Sequence, residues 1–297
     1  MSSYFDKKEL FTGPKVNQYG SHMIMTNVTK TTKTKYVNID TKFRDEYNSN
    51  VTSDYNITLP ERITDVRSIS VTNVEIPMTF FNISENLGNN AMKIQTTAVV
   101  VPDGEYTITT LVAALETKRI ALGFTGFSFT TANNKITMST GTLHTVDFGV
   151  DSSGGFAKYN FKSRLGWLMG FRSQTYSIIS GSPITSEFLS DLSGPRYLYL
   201  VVEEFTSNGN QKSFISPLPS SVINKNILAR IPMNKQIYTF MSVIPANNSN
   251  GLLLSDIRSY TGKVDIQKLN VQLVNENGIA MNLNGADFSF CLQLEHE

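Results

Sequence analysis

The segment from Phe288 to Glu295 constrains the fold more than any other part of the chain. Phe288, Phe290, Leu292 and Leu294 alternate there with Ser289, Cys291, Gln293 and Glu295, the period-2 pattern of a strand with one buried face. A second strand, Gly262 to Asn275, precedes it. Asn277-Gly278 reads as a two-residue hairpin turn, because both residues tolerate the positive φ of a type I′ turn; Asn284-Gly285 is a second turn signal. This arrangement predicts a final strand tied into a core.

The rest of the chain supplies six more strand signals. Tyr36 to Asp40 and Tyr55 to Leu59 alternate, and Pro60 is expected to stop the second. Asp65 to Ile76 is a β-branched run ended by Pro77. Arg196 to Phe205, Ile227 to Ile231 and Gln236 to Val243 follow. Eight strands with long connections predict a mainly β fold, a single jelly-roll sandwich of eight antiparallel strands, with its core from residues 36–76 and 196–297. Between Ile266 and Leu269 the apolar residues change parity, which predicts a β-bulge at Gln267-Lys268.

Residues 77–195 have a different character and read as a small α+β segment inserted between strands; the alternative, that they supply jelly-roll strands themselves, is open at this level. Thr107 to Leu122 predicts a helix with Thr107 as N-cap and Gly123 just past its end. Ile108, Leu111, Val112, Leu115 and Leu122 would form its buried face. Phe127 to Thr130 and Lys135 to Met138 flank Asn133-Asn134 as a hairpin, and Leu165 to Phe171 gathers large apolar side chains around Gly166 and Gly170. Residues 1–35 lack sustained periodicity; six lysines against Asp6 and Glu9 leave a local balance of +4. They read as an extended N-terminal arm.

Composition narrows the class. Only 17% of the 297 residues are charged, against roughly 25% in an average soluble protein, and Asn, Ser and Thr fill the difference. Such a surface suits a protein that buries much of itself against copies or neighbours; it equally suits a carbohydrate-binding β-sandwich. A net charge of +1 provides no general attraction to nucleic acid or membrane. The single cysteine, Cys291, excludes an internal disulfide. Charges within the first ten residues interrupt any signal-peptide core, and no apolar run nears the ~20 residues of a membrane span. The expectation is a soluble protein made in a cytoplasm.

Reactive constellations are not evident. His22, His144 and His296 are scattered, unlike a zinc or cupin ligand set. Neither a Gly-x-Ser-x-Gly elbow nor a phosphate-binding Gly-rich loop occurs. Glu203 and Glu204 are adjacent on a strand and so point to opposite faces, whereas a glycosidase pair must face each other. Asp103, Asp147, Asp151 and Asp265 lie beside turns, where carboxylates cap backbone N–H groups. Glycosylation sequons occur at Asn27, Asn50, Asn56, Asn82 and Asn247, read as chance matches in an Asn- and Thr-rich chain. The lysines between Lys30 and Lys42 are followed by Asp40, Asp45 and Glu46, and read as a solvated stretch rather than a phosphate site. No catalytic, cofactor or metal residue is expected.

Several pieces together are more specific. Tyr36 to Asp40 with Phe43-Arg44-Asp45, Leu59 to Ile63, Val74 to Pro77 with Phe81-Asn82, Asp103-Gly104 with Tyr106, Leu165-Gly166-Trp167 through Gly170-Phe171, Arg196 to Leu200, Asp265 to Leu269 and Leu283 to Phe290 resemble, in order and spacing, the jelly-roll capsid proteins of large eukaryotic double-stranded DNA viruses. The resemblance implies a virion structural protein and not an enzyme, with the size of a penton protein that forms pentamers at five-fold vertices or, alternatively, of a minor capsid protein bracing the shell from beneath. Its implied partners are copies of itself, the major capsid protein and other minor capsid proteins, with no direct contact to nucleic acid or membrane. Its implied location is the virion, after assembly in the host cytoplasm. A receptor- or carbohydrate-binding sandwich using Trp167 or Tyr176 as a stacking platform is the competing class.

Overall fold

One strand of 24 residues, β2 (Asp54–Pro77), organises the larger sheet. The computed structural model describes residues 31–46, 51–153, 158–205 and 226–297. Among them the chain is mainly β, and every ladder between named strands is antiparallel. From Asp54 to Ile69, β2 pairs with β14 (Arg258–Val274). From Val66 to Glu75 its opposite edge pairs with β15 (Ser289–His296), and Asn73 to Pro77 pair with β12 (Val243–Asn247). The strand therefore serves different neighbours along its length, which curls the sheet. The full order is β1 (Lys33–Asp40), β15, β2, β14, β10 (Tyr197–Glu203), β11 (Ile227–Pro232) and β13 (Leu254–Ser255), with β12 on β2.

The final strand behaves as its alternation predicts. It lies between β1 and β2, with Phe288, Phe290, Leu292 and Leu294 all at most 2% exposed. These side chains join a core drawn from Ile39 to Phe80 and from Leu198 to Leu294. Burying each of them from water is worth ~1.5–3 kcal/mol. The opposite face of β10, β11 and β14 carries a smaller cluster of Tyr199, Val201, Ile227 and Val274, so Leu198 to Val202 are buried on both faces.

Several expectations need correction. Pro60 does not end a strand. Thr58 pairs with Lys268 and Ile63 with Ile266, so Leu59 to Arg62 fall outside the register, and a proline without an N–H sits where no ladder bond is asked of it. The predicted bulge lies at this same irregularity: Gln267 and Lys268 are both exposed while Ile266 and Leu269 are buried, and extra residues stand on β2 as well. Gln236 to Val243 is not a strand. The Asn234 side chain accepts from the N–H groups of Gln236 and Ile237, and its carbonyl accepts from Ile237 and Tyr238. This local closure competes with a ladder, and only Val243 onwards enters β12.

The Asn277-Gly278 turn is also of a different kind. Gly278 alone has positive φ, its N–H bonds to the Asn275 carbonyl at 3.0 Å, and Asn275 N–H bonds to Ile279. That is a three-residue loop, a type I turn closed by a left-handed glycine. Type I′ geometry occurs instead at Asn284-Gly285 (φ 53° and 79°) and at Asn133-Asn134 (φ 52° and 58°). Of the predicted arm, residues 1–30 lie outside the described residues, and Lys33 to Lys35 already belong to β1.

A second core gathers Ile83 to Ile178. Its framework is a four-stranded sheet, β4 (Thr97–Val100), β3 (Ala91–Ile94), β7 (His144–Asp147) and β8 (Thr175–Ile178), and a three-stranded one, β5 (Phe127–Ala132), β6 (Lys135–Thr140) and β9 (Ile184–Thr185). Helix α1 (Ile108–Ala121) starts at a capping box between Thr107 and Thr110 and buries Leu111, Val112, Leu115 and Arg119. Arg119, not Leu122, continues the i, i+4 stripe; its guanidinium bonds to Glu116 and to the carbonyls of Phe124 and Thr125, and Leu122 is exposed. In the turn of helix α2 (Leu165–Leu168), a Cβ on Gly166 would stand 2.3 Å from Phe148 Cγ, so only glycine lets that ring pack.

Candidate interaction surface

The isolated histidines have structural surroundings. His144 Nδ1 lies 2.8 Å from Thr140 Oγ1, and its ring meets Phe124 and Phe127 edge-on. His296 ends β15 opposite Val66 and Lys33; His22 lies outside the described residues. Asp103 accepts from Glu85 N–H, Asp147 from Gly149 N–H, Asp151 from Ser153, and Asp265 from Asp65 N–H and Arg62. Each carboxylate caps a turn or strand end, as such positions favour. Among the described residues no three His, Cys, Asp or Glu side chains converge as metal ligands.

Two sequons are occupied by structure. Asn82, 2% exposed, donates to the carbonyls of Tyr106 and Leu192 and accepts from Tyr106 N–H, each at 2.8 Å. Asn56 Oδ1 accepts from Asn270 across the β2–β14 ladder. Tyr176 is no surface platform either. It is 9% exposed, edge-on to Phe148 and Phe171, and its hydroxyl donates to Glu187 at 2.7 Å while accepting from the N–H groups of Arg172 and Ser173.

Glu203 and Glu204 diverge as strand geometry requires, but Glu204 enters a polar network that sequence inspection missed. Its carboxylate is buried against Arg258 Nη1 (2.6 Å) and the Tyr260 hydroxyl (2.7 Å). The remaining Arg258 donors reach the carbonyls of Val202 and Asn226, both at 2.9 Å. Arg258 thus fastens the end of β10 to the start of β11. Burial, and then the neighbouring carboxylate, hold the Tyr260 hydroxyl proton well above the usual phenol range. A usable signal existed: Arg258 and Tyr260 share the parity of a buried face in β14.

The outer surface of the large sheet is apolar in places. Phe43, Ile237, Met241, Leu254 and Ile257 are each more than half exposed, and Phe240 (40% exposed) stacks on Phe81. They lie beside β1, in the loop before β12, and around β13. Among the described residues β1 pairs on one edge, with β15, and its Tyr36 is exposed. Where such groups form a contiguous patch they mark a surface that other chains cover.

This chain is similar to a virophage penton protein. Over 89% of its length it superposes on the whole mavirus penton protein, at 12% identity and a TM-score of 0.42. A chain of the Sputnik virophage structure matches over 89% of this chain and 98% of that one, at 13% identity and a TM-score of 0.37. No family model and no curated protein matches.

Proposed function

We propose that this protein is a structural component of a viral capsid, a penton protein whose copies form pentamers at the vertices. The observation that carries the reading is the large sheet itself. A 24-residue strand curls between two sets of partners, its final strand is buried between neighbours, and the sheet margins expose Ile237, Met241, Leu254 and Ile257. In this reading the eight-stranded sheet is a jelly roll closed by the curl of β2, and the segment around 77–195, with its own core, is an insertion carried on it. The apolar margins and the outer edge of β1 among the described residues meet neighbouring copies, the major capsid protein and other minor capsid proteins of the virion. Function is contact area, in keeping with Asp103, Asp147, Asp151 and Asp265 capping turns or strand ends and Glu204 held in the buried Arg258 network.

Native mass spectrometry of the purified full chain tests this. A pentamer that dissociates when Ile237 and Met241 are both changed to Asp supports it. A stable monomer or trimer at micromolar concentration overturns the vertex assignment, a monomer that joins the shell only from its inner face being the minor-capsid outcome.

A further inference from the structure

Away from the exposed sheet margins, a groove of about 380 Å³ opens between α2 and the start of β10, within the size range of small-ligand sites. Trp167 and Tyr197 form its apolar flanks, and Lys162, Arg172 and Arg196 bring three cations. The Arg172 guanidinium lies 4.0 Å from the Trp167 ring centre and uses Nη1 on the carbonyls of Trp167 and Phe171, which fixes the rest of its fork. Lys162 Nζ stands 5.7 Å from the same ring. Asp191 is already engaged by Ser193 and Arg196. Glu276, reaching in from the turn after β14, is the unusual member: its Oε2 is buried and has no hydrogen-bond partner. Burial pushes the Glu276 carboxyl above the usual range.

A site with surplus cations, aromatic flanks and an unserved buried acceptor asks for a ligand that is anionic at one end and hydroxyl-bearing at the other. A simple anion would leave Glu276 unserved, and a neutral sugar would leave Lys162 and Arg172 without a counter-charge. We infer that this groove binds a carboxylate-bearing sugar, with Arg172 and Lys162 on the carboxylate, Glu276 accepting from a hydroxyl, and Trp167 and Tyr197 packing against the ring. Planar guanidinium matches carboxylate geometry, and buried polar groups that lack a protein partner give selectivity for ligands that supply one.

The inference does not rest on the capsid reading, since the groove is complete within one chain. The test is calorimetric titration of the full chain with N-acetylneuraminic acid and glucuronic acid, with galactose, acetate and a glutamate hexapeptide as comparisons. The expected result is saturable binding of at least one acidic sugar, about tenfold tighter than galactose or acetate. Glu276→Gln and the exposed-side change Lys162→Gln should each weaken it about tenfold without lowering the thermal midpoint. No binding of either acidic sugar, equal binding of acetate or galactose, tighter binding of the hexapeptide, or indifference to both substitutions would overturn it.

Discussion

The two cores of this molecule are built on opposite plans. The large sheet is held by long ladders between residues far apart in sequence: Asp54 faces Gln272, and Val66 faces both Val264 and His296. The second core uses short strands, a helix of about four turns, the single turn of α2 and tight turns, so most of its partners lie within the same hundred residues. Charge is handled differently as well. The large sheet buries a whole ion pair, Glu204 with Arg258, whereas the second core fits its backbone together through glycines, with Phe148 packed on Gly166. The second core buries Arg119 against Glu116 as well, so loss of a polar partner threatens both cores, and what sets the second apart is its vulnerability to a gained methyl group at Gly166.

The largest effect should come from breaking the buried pair. Glu204→Gln or Arg258→Ala leaves one charge or its backbone partners unserved in the interior, at a cost of ~3–5 kcal/mol. Glu203→Gln, on the exposed face of the same strand, should change stability by less than about 0.5 kcal/mol. Urea unfolding followed by far-ultraviolet circular dichroism checks both; equal midpoints for the two glutamine variants would mean that the pair is not buried in solution.

A smaller and more local effect is expected at Gly166→Ala. The new Cβ would force Phe148 aside, and overpacking of this kind costs ~1–3 kcal/mol. Trp167 is the only tryptophan in the chain and sits in the same helix, so its fluorescence reports on the packing of α2 and of the groove that it lines with Tyr197. The variant should shift the fluorescence transition to lower urea by more than it shifts the dichroism transition. Coincident shifts would show that the two cores unfold as one unit.

The mildest perturbation is alkaline pH. Tyr55 and Tyr260 are buried in the large sheet and hold their protons well above the usual phenol range, chiefly through burial. The native state therefore keeps protons that the unfolded chain releases, so stability is full below about pH 10 and falls as pH rises beyond it. Tyr176, in the second core, is shifted in the same direction by burial and by Glu187. Absorbance at alkaline pH should show Tyr55 and Tyr260 ionising only together with loss of the dichroism signal. Their titration in a folded protein would mean that the sheet opens locally.

What could be read directly from the residues were features that depend on neighbours in sequence. The period-2 burial of Phe288 to Leu294, the Thr107 cap and Gly123 end of α1, the Asn133-Asn134 turn and the parity slip near Gln267 all follow from local stereochemistry and a single buried face. The engaged states of Asp103, Asp147 and Asp265 follow in the same way. Other features needed the partner strand. Pro60 reads as a stop until β14 is seen to skip it, and Gln236 to Val243 reads as a strand until the Asn234 turn claims its backbone. Glu204 reads only as one of two diverging acids until Arg258, 54 residues away, closes on it. Glu276 gains its character only where the turn after β14 meets the groove beside Trp167. Alternation and capping are short-range consequences of backbone geometry, so the sequence determines them unaided. Register, the pairing of buried charges and the convergence of a groove depend on which distant segments share a dielectric interior, and that is decided only when the chain has packed.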